Sequence, residues 1–338
     1  MITALPEPRP VFDVPVLRWG ILGTGWIADK FVTALQASTQ QRVVAVGSRS
    51  REGAERFAAG HGIETAHASY EALVGDPEVD VIYVASPHPS HLEHGLLAVE
   101  AGKHVLVEKP LGLNAAQARQ LAGAARAAGV FAAEALWSLA LPKFDVLAQL
   151  LADGVLGQVG AIQADIGEWL PEEHRIFDRA LAGGCMLDLA TYPVMFAHWV
   201  TGVPEDVVAV GTRHSGGTVS AASMALRFPS GVEAALLATA THATPTTAAV
   251  GGSEALLHLD GPFYQPGPFT LVQREGPTLR YEEEPIAHAG LFHQALQVAL
   301  AIGEGRTEAP FRPLDASSAT LEIMDRVRAV TGDRFDME

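Results

Sequence analysis

The sequence predicts an α/β domain built on a parallel sheet, followed by an α+β domain whose sheet is large, open and mainly antiparallel. Three observations carry this. From Val16 to about Val130, short apolar runs alternate with segments of helical period, the grammar of a doubly wound parallel sheet. Beyond Trp137, strand-like runs follow one another with turns between them, as they do in antiparallel sheets. The chain has 338 residues and 48% apolar content, enough for about two domains that each bury a core. The expected divisions are an N-terminal arm over residues 1–15, a first domain over 16–137 and a second over 138–338.

The first strand is the apolar run Val16 to Leu22, and it leads directly into Gly23-Thr24-Gly25-Trp26-Ile27-Ala28. This is a G-x-G-x-x-A turn of the Rossmann type. Gly23 permits the tight bend, Gly25 lets a pyrophosphate approach the backbone, and Ala28 lets the helix pack on the strand. Amides of the first helical turn and the helix dipole then favour phosphate at that point. A second strand, Arg42 to Gly47, follows at the required distance and ends in Ser48-Arg49-Ser50. A carboxylate there would repel a 2′-phosphate, whereas Ser48 and Arg49 can bind one. The predicted cofactor is therefore NADP, with NAD possible.

The remaining elements of the first domain follow from local signals. Arg51–His61 is a helix and Asp80–Ala85 a strand. Pro89 suits the first turn of the next helix and Gly102 its end. His104–Val107 is a strand that terminates in Glu108-Lys109-Pro110. Asn114 can cap a helix with Gln117 in capping-box register, Gly129 stops it, and Val130–Ala133 closes the sheet. An open sheet binds its ligand outside the carboxyl ends of its strands. Besides the glycine turn, the exits at Ser86, Pro87, His88 and His91 and at Glu108 and Lys109 are the expected cofactor contacts.

In the second domain the expected strands are Gln158–Ile166, Asp206–Arg213, Val219–Phe228, Val232–Thr241, Thr247–Val250, Ala255–Asp260 and Phe269–Arg274. Helical character interrupts them at Cys185–Val200, His288–Ile302 and Asp315–Val330, the last with Asp315 as N-cap and Gly332 as stop. The Glu282-Glu283-Glu284 run reads as a solvated turn. Small apolar residues on both faces of 220–228 and 232–241 imply burial against a second subunit, hence a homodimer or a dimer of dimers. The prolines at 6, 8 and 10 mark an extended arm, either disordered or laid across a neighbour.

Composition limits the partners. A formal charge of −16 argues against nucleic acid and anionic membranes. No apolar run approaches bilayer length, no signal-peptide pattern opens the chain, and the one cysteine, Cys185, suits a reducing cytoplasm.

Two stretches can carry chemistry. Lys109 sits at a strand exit, where an ammonium group can stabilise charge developing on a substrate oxygen; taken alone, such a lysine is more often a surface residue than a catalytic one. In Gly183-Gly184-Cys185-Met186-Leu187-Asp188-Leu189-Ala190-Thr191-Tyr192, the glycine pair would permit close approach of a ligand. Asp188 and Tyr192 are four apart and share a helix face. They form either a core pair or a pair that meets a substrate hydroxyl or carbonyl. His88, His91 and His94 are spaced by threes, but only Glu93 could complete a set, so no metal site is expected. Nothing nearby marks Cys185 as an activated thiol.

From Leu17 to about Val330 the chain resembles the glucose-fructose oxidoreductase, inositol dehydrogenase and rhizopine-catabolism family of NAD(P)-dependent oxidoreductases. The resemblance rests on the Gly23–Ala28 turn, Ala101-Gly102-Lys103-His104-Val105, Glu108-Lys109-Pro110, Glu134-Ala135-Leu136-Trp137 and the Gly184, Asp188, Tyr192 segment. Tyr192 stands where inositol dehydrogenases carry histidine, so the chain is most similar to the glucose-fructose oxidoreductase and dimeric dihydrodiol dehydrogenase branch. That resemblance implies Tyr192 as general acid or base, Lys109 polarising the reacting oxygen and tuning Tyr192, and Asp188 orienting the substrate. It implies hydride transfer to or from a sugar, polyol or related cyclic alcohol or ketone. Alternatives are a trans-dihydrodiol or dicarbonyl reductase, a non-catalytic nucleotide-binding regulator, and an enzyme that recycles a tightly held NADP. Ser138-Leu139-Ala140 departs from the family's Thr-Arg-Phe, so substrate identity does not carry over; Ser86-Pro87-His88 departs from Thr-Pro-Asn.

Overall fold

The computed structural model describes every residue except Glu284. The chain forms two compact units. One contains Pro10–Ala140 and Ala287–Ser318; the other contains Met1–Arg9, Leu141–Ile286 and Ala319–Glu338.

The first unit is a doubly wound sheet of six parallel strands: β1 (Arg18–Leu22), β2 (Arg42–Gly47), β3 (Thr65–His67), β4 (Val81–Val84), β5 (His104–Glu108) and β6 (Ala132–Ala135). Their order is β3-β2-β1-β4-β5-β6. The chain reverses its winding at β1 and β4, and a crevice opens at such a reversal, beyond the strand ends. Side-chain caps start the intervening helices. Ser50 accepts from the Gly53 amide, Ser69 from Ala72 and Asn114 from Gln117. Left-handed Gly62 and Gly129 end two of them. β3 was not anticipated, because three half-buried residues carry no periodic signal.

The core of this unit centres on Trp19, Phe31 and Tyr83, all fully buried, with Phe31 stacked on Tyr83 at 3.9 Å between ring centroids. Ala295, Val298, Ala301 and Ala309 belong to the same cluster. Those residues come from the helix Phe292–Gly303 and the segment after it. Sequence order places this helix after the second sheet, yet its apolar stripe is buried with the first.

The second unit holds eight strands: β7 (Val159–Gly167), β8 (Asp206–Arg213), β9 (Val219–Arg227), β10 (Glu233–Thr239), β11 (Ala248–Gly252), β12 (Ala255–Leu259), β13 (Phe269–Gln273) and β14 (Thr278–Tyr281). Their order is β14-β13-β12-β11-β7-β10-β9-β8, antiparallel throughout except where β10 runs parallel to β7. β14 lies beyond the strands read from sequence; its four residues are exposed or half-buried at the sheet edge. Burial alternates along β9 and β10. The helix Thr191–Thr201 packs on β7 and β10. On the alternating positions, Val208 and Val210 remain 66% and 70% exposed.

Three local expectations are corrected. Cys185–Val200 is not one helix: Cys185–Asp188 and Thr191–Thr201 are separate, and the run Arg179–Asp188 meets the second at a bend of 44°. Pro193 explains the break, since it lacks the amide that a continuous helix needs and is tolerated only in a first turn. Asp315 is not a cap but lies inside the first turn of Leu314–Thr331, where it pairs with Arg126 at 2.9 Å. Glu283 is not a solvated turn residue: it accepts from the Lys143 amide at 3.0 Å, the Gly267 amide at 2.8 Å and the Tyr281 hydroxyl at 3.0 Å. Glu284 of that run lies outside the described residues.

The first nine residues are held by their own chain. The Ile2 amide donates to Gln273 at 2.7 Å, Gln149 donates to the Glu7 carbonyl at 3.0 Å, and Arg9 pairs with Asp145. No single helix among the described residues is long and apolar enough to cross a membrane; the bent pair that meets the test is largely buried.

Candidate active site

Each unit carries part of the predicted site. In the parallel-sheet unit, β1 ends at Gly23, whose φ of +104° lies in the region that favours glycine. Its amide donates to the Gly47 carbonyl at 3.0 Å, and a Cβ there would stand 2.9 Å from the Ala85 carbonyl oxygen. Gly23 is therefore where the exits of β1, β2 and β4 are drawn together. Gly25 is different. It precedes the helix Trp26–Ser38 and offers no side-chain cap, and a Cβ on it would meet nothing within 4 Å. Uncapped first-turn amides beside open space are what a pyrophosphate requires. Ala28 is fully buried, Thr24 and Ile27 are half-buried or more open, and Trp26 is exposed beneath the Lys30 ammonium, 4.8 Å from its ring centroid.

At the end of β2, the Ser48 amide donates to the His67 carbonyl, which leaves its side chain beside the capping Ser50. Arg49 is exposed and lies by Tyr70 and His94. Burial raises the Tyr70 phenol above its ordinary value, opposed by the Arg49 charge. Burial lowers His94, and Arg49 adds to that. These residues fit a 2′-phosphate: an exposed guanidinium, a hydroxyl and no carboxylate at the strand end.

A buried histidine lies between the β4 and β5 exits. The His91 ring nitrogens lie 2.7 Å from the Pro110 carbonyl oxygen and 2.8 Å from that of Ser86. Burial holds His91 below its ordinary value; the neutral ring has a single N–H and donates to one of these two carbonyls. Ser86 and His88 are buried and Pro87 is exposed. The Lys109–Pro110 peptide is cis, and Lys109 is half-buried. Glu108 turns inward: it accepts from the Tyr83 hydroxyl and, at 3.1 Å, from the Lys109 amide. Burial, opposed by those bonds and by the Lys109 charge, pushes its carboxyl up to about 7. Beyond it, Glu134 and Arg312 form an ion pair at 2.9 Å, with both side chains 2% exposed.

In the antiparallel-sheet unit, Asp188 is buried and accepts from Arg175 Nη2 at 2.8 Å. Tyr192 is 6% exposed, and its ring stacks on Tyr264 at 4.2 Å and 24°. Burial pushes the Cys185 thiol well above its ordinary range, so it is no nucleophile. Gly183 has a different purpose from the one the sequence suggested. A Cβ on Gly183 would come within 2.8 Å of the carbonyl oxygens of Ile176, Asp178 and Arg175. The space is taken by the chain's own preceding loop rather than by a ligand. Arg175 and Tyr264 were not singled out in the sequence: each lies in an irregular segment without periodicity, and only the fold shows what they touch. Among the described residues, no three His, Cys, Asp or Glu side chains are grouped to hold a metal.

A family model described as the oxidoreductase family with an NAD-binding Rossmann fold matches residues 17–135, and the GFO/IDH/MocA C-terminal domain matches residues 144–258. The rabbit (Oryctolagus cuniculus) trans-1,2-dihydrobenzene-1,2-diol dehydrogenase is 36% identical over 327 residues, covering 94% of this chain and 99% of that protein. The chain belongs to the GFO/IDH/MocA oxidoreductase family. It is an NAD(P)-dependent oxidoreductase with an NAD(P)-binding Rossmann domain. The human protein of the same name is 34% identical over 95% of this chain and 99% of its own length. Among solved structures, KijD10, a 3-ketoreductase from Actinomadura kijaniata in complex with NADP and TDP-benzene, is 27% identical with a TM-score of 0.81, covering 93% and 98% of the two chains. The aldose-aldose oxidoreductase from Caulobacter crescentus shares the fold, with a TM-score of 0.84 at 23% identity, covering 94% of this chain and 98% of that one.

Proposed function

We propose that this family member is NADP-dependent and transfers hydride between nicotinamide and a cyclic or vicinal alcohol and its ketone. The observation that carries the cofactor choice is Arg49, exposed at the end of β2 with Ser48 and no acidic residue beside it. NADP, when bound, supplies or accepts the hydride. The protein contributes placement and proton handling. Uncapped amides after Gly25 hold the pyrophosphate, and Arg49 with Ser48 holds the 2′-phosphate. Tyr192 exchanges the proton of the reacting oxygen, Lys109 polarises that oxygen, and Asp188 orients the substrate. An unperturbed tyrosine titrates near 10, so a base role at neutral pH requires a cation to act on it; Lys109 fills that role.

The name of the 36% identical relative favours a trans-dihydrodiol, or a carbonyl related to it, as substrate. Apolar Leu139 and Ala140, where the family resemblance leads one to expect Arg-Phe, support the less polar choice. A sugar or polyol substrate is the second reading, which the family resemblance leaves open. We further propose a homodimer through the exposed face of the eight-stranded sheet.

The experiment is NADP reduction and NADPH oxidation against a panel of dihydrodiols, diketones, polyols and sugars, with NAD and NADH in parallel. Wild type is expected to prefer NADP. In Arg49→Ala, KM for NADP should rise about ten- to a hundredfold, the worth of lost charge-assisted bonds, with KM for NAD unchanged. Equal use of both cofactors by wild type would remove the Arg49 assignment, and cofactor binding without turnover of any substrate would favour a regulator.

A further inference from the structure

Asp188, proposed to orient the substrate, has a protein partner of its own. Arg175 Nη2 donates to Asp188 Oδ2 at 2.8 Å. The carboxylate side chain is 9% exposed and the guanidinium 34% exposed. An arginine has five N–H donors. Asp188 uses one of them, and the other donors of Arg175 meet no other protein acceptor among the described residues.

The backbone that delivers this guanidinium is fixed. Ile176 and Phe177 are buried, and Phe177 stacks on His214 at 4.2 Å. The His174 ring accepts from the Ile176 amide at 3.2 Å. The Arg175 carbonyl oxygen occupies the space that a Cβ on Gly183 would need, at 2.8 Å. A planar donor fork on a rigid loop, one edge tied to a buried carboxylate and the other open, is a preorganised oxygen-binding group.

The ion pair also determines what kind of oxygen fits. Asp188 cancels the arginine's charge, so the pair as a whole is neutral. A bare arginine would favour a carboxylate ligand; this one offers hydrogen bonds without net positive charge, and the nearby Asp188 repels an anion.

We propose that Arg175 is a specificity-determining residue, a role that rests on the assignment of Asp188 and Tyr192 to the substrate. Held by Asp188, it donates to an oxygen on the substrate carbon adjacent to the one that exchanges hydride. The chain thereby selects neutral, vicinally oxygenated substrates, a 1,2-diol in the oxidative direction and an α-hydroxyketone or 1,2-diketone in the reductive one. In reduction, one hydride from NADPH and one proton convert the reacting C=O to CH–OH. The neighbouring oxygen is bound and unchanged.

The test uses three matched aryl ketones with NADPH: 1-phenyl-1,2-propanedione, propiophenone, which lacks the second oxygen, and benzoylformate, which carries a carboxylate in its place. The diketone is intrinsically the most electrophilic, so the readout is how the kcat/KM ratios change between wild type and Arg175→Met. The diketone-to-propiophenone ratio should fall about ten- to a hundredfold in the variant, the worth of one hydrogen bond from a charged donor. Propiophenone, which cannot use the lost bond, should lose less turnover than the diketone, and discrimination against benzoylformate relative to propiophenone should grow, because Asp188 is left without its counter-charge. Arg175→Gln, which can still donate to Asp188, should lose the diketone preference as well, and it serves if the methionine variant fails to fold. Proportional loss with all three ketones would show that Arg175 merely supports the fold and would overturn the proposal, as would unchanged ratios.

Wild-type protein that turns over none of the three is judged by binding to the NADP-loaded form, followed by tryptophan fluorescence. Selective diketone binding that Arg175→Met abolishes keeps the Arg175 assignment and rejects the hydride reading alone. Equal binding of the diketone by wild type and variant overturns Arg175.

Discussion

Lys143 offers the sharpest energetic prediction. It opens the helix Pro142–Ala152, and its side chain is fully buried. Its amide donates to Glu283 at 3.0 Å, but its Nζ has no hydrogen-bond partner. Burial lowers the ammonium from 10.5 to about 8, opposed by the charges of Glu283 and Asp260. The folded chain thus holds this proton less tightly than the unfolded chain does. A difference of that size corresponds to about 3 kcal/mol. At pH 7, below both values, the amine is charged in both states and folding bears the whole cost. As pH rises from about 8 towards 10.5, the folded amine is already neutral while the unfolded one is still charged, so stability rises through that window.

Lys143→Met keeps the side-chain length and removes the charge. The variant should be more stable than wild type at pH 7 by up to about 3 kcal/mol, a figure that already includes the opposing attraction of Glu283 and Asp260. The advantage should shrink steadily between about pH 8 and pH 10. Urea unfolding followed by tryptophan fluorescence at pH 7 and at several values across that range reads both quantities. Parallel stability curves for the two proteins, or a less stable variant at pH 7, would refute the reasoning.

Other consequences are as direct. Gly23→Ala should destabilise the fold by about 1–3 kcal/mol, because a φ of +104° and a carbonyl oxygen 2.9 Å from the new Cβ strain it twice; thermal melts check this, and an unchanged Tm would count against the close approach. Tyr192→Phe and Lys109→Met should each lose about a hundredfold or more in kcat while NADP affinity, read by fluorescence titration, is kept; near-normal kcat in either removes that residue from the mechanism. Leu237→Glu, placed opposite Asp165 on β7, should convert a dimer into a monomer by light scattering with the circular dichroism spectrum unchanged; a monomeric wild type at micromolar concentration ends the dimer proposal.

Much of the fold was legible in the residues themselves because its signals are local. Apolar runs of strand length, the Asn114 cap and stopping glycines marked most of the first sheet, and strand-like runs without intervening helices marked the second. The glycine turn was readable for the same reason: a tight bend at a strand exit demands particular residue types within a few positions. Local pattern failed where competing constraints act. Pro193 broke a helix that apolar spacing had run together. β3 and the edge strand β14 were too short or too exposed to show a period.

What the sequence determined alone was the alternation of elements, the position of the nucleotide turn and the residue types able to handle a proton. Only the tertiary structure decided which core the helix Phe292–Gly303 would join, that the space over Gly183 belongs to the chain's own loop, that His91 lies between two strand exits, and that Arg175 reaches Asp188. These four are contacts between segments separated along the chain. They depend on how apolar faces and buried polar groups find partners in three dimensions, and no window of residues contains that information.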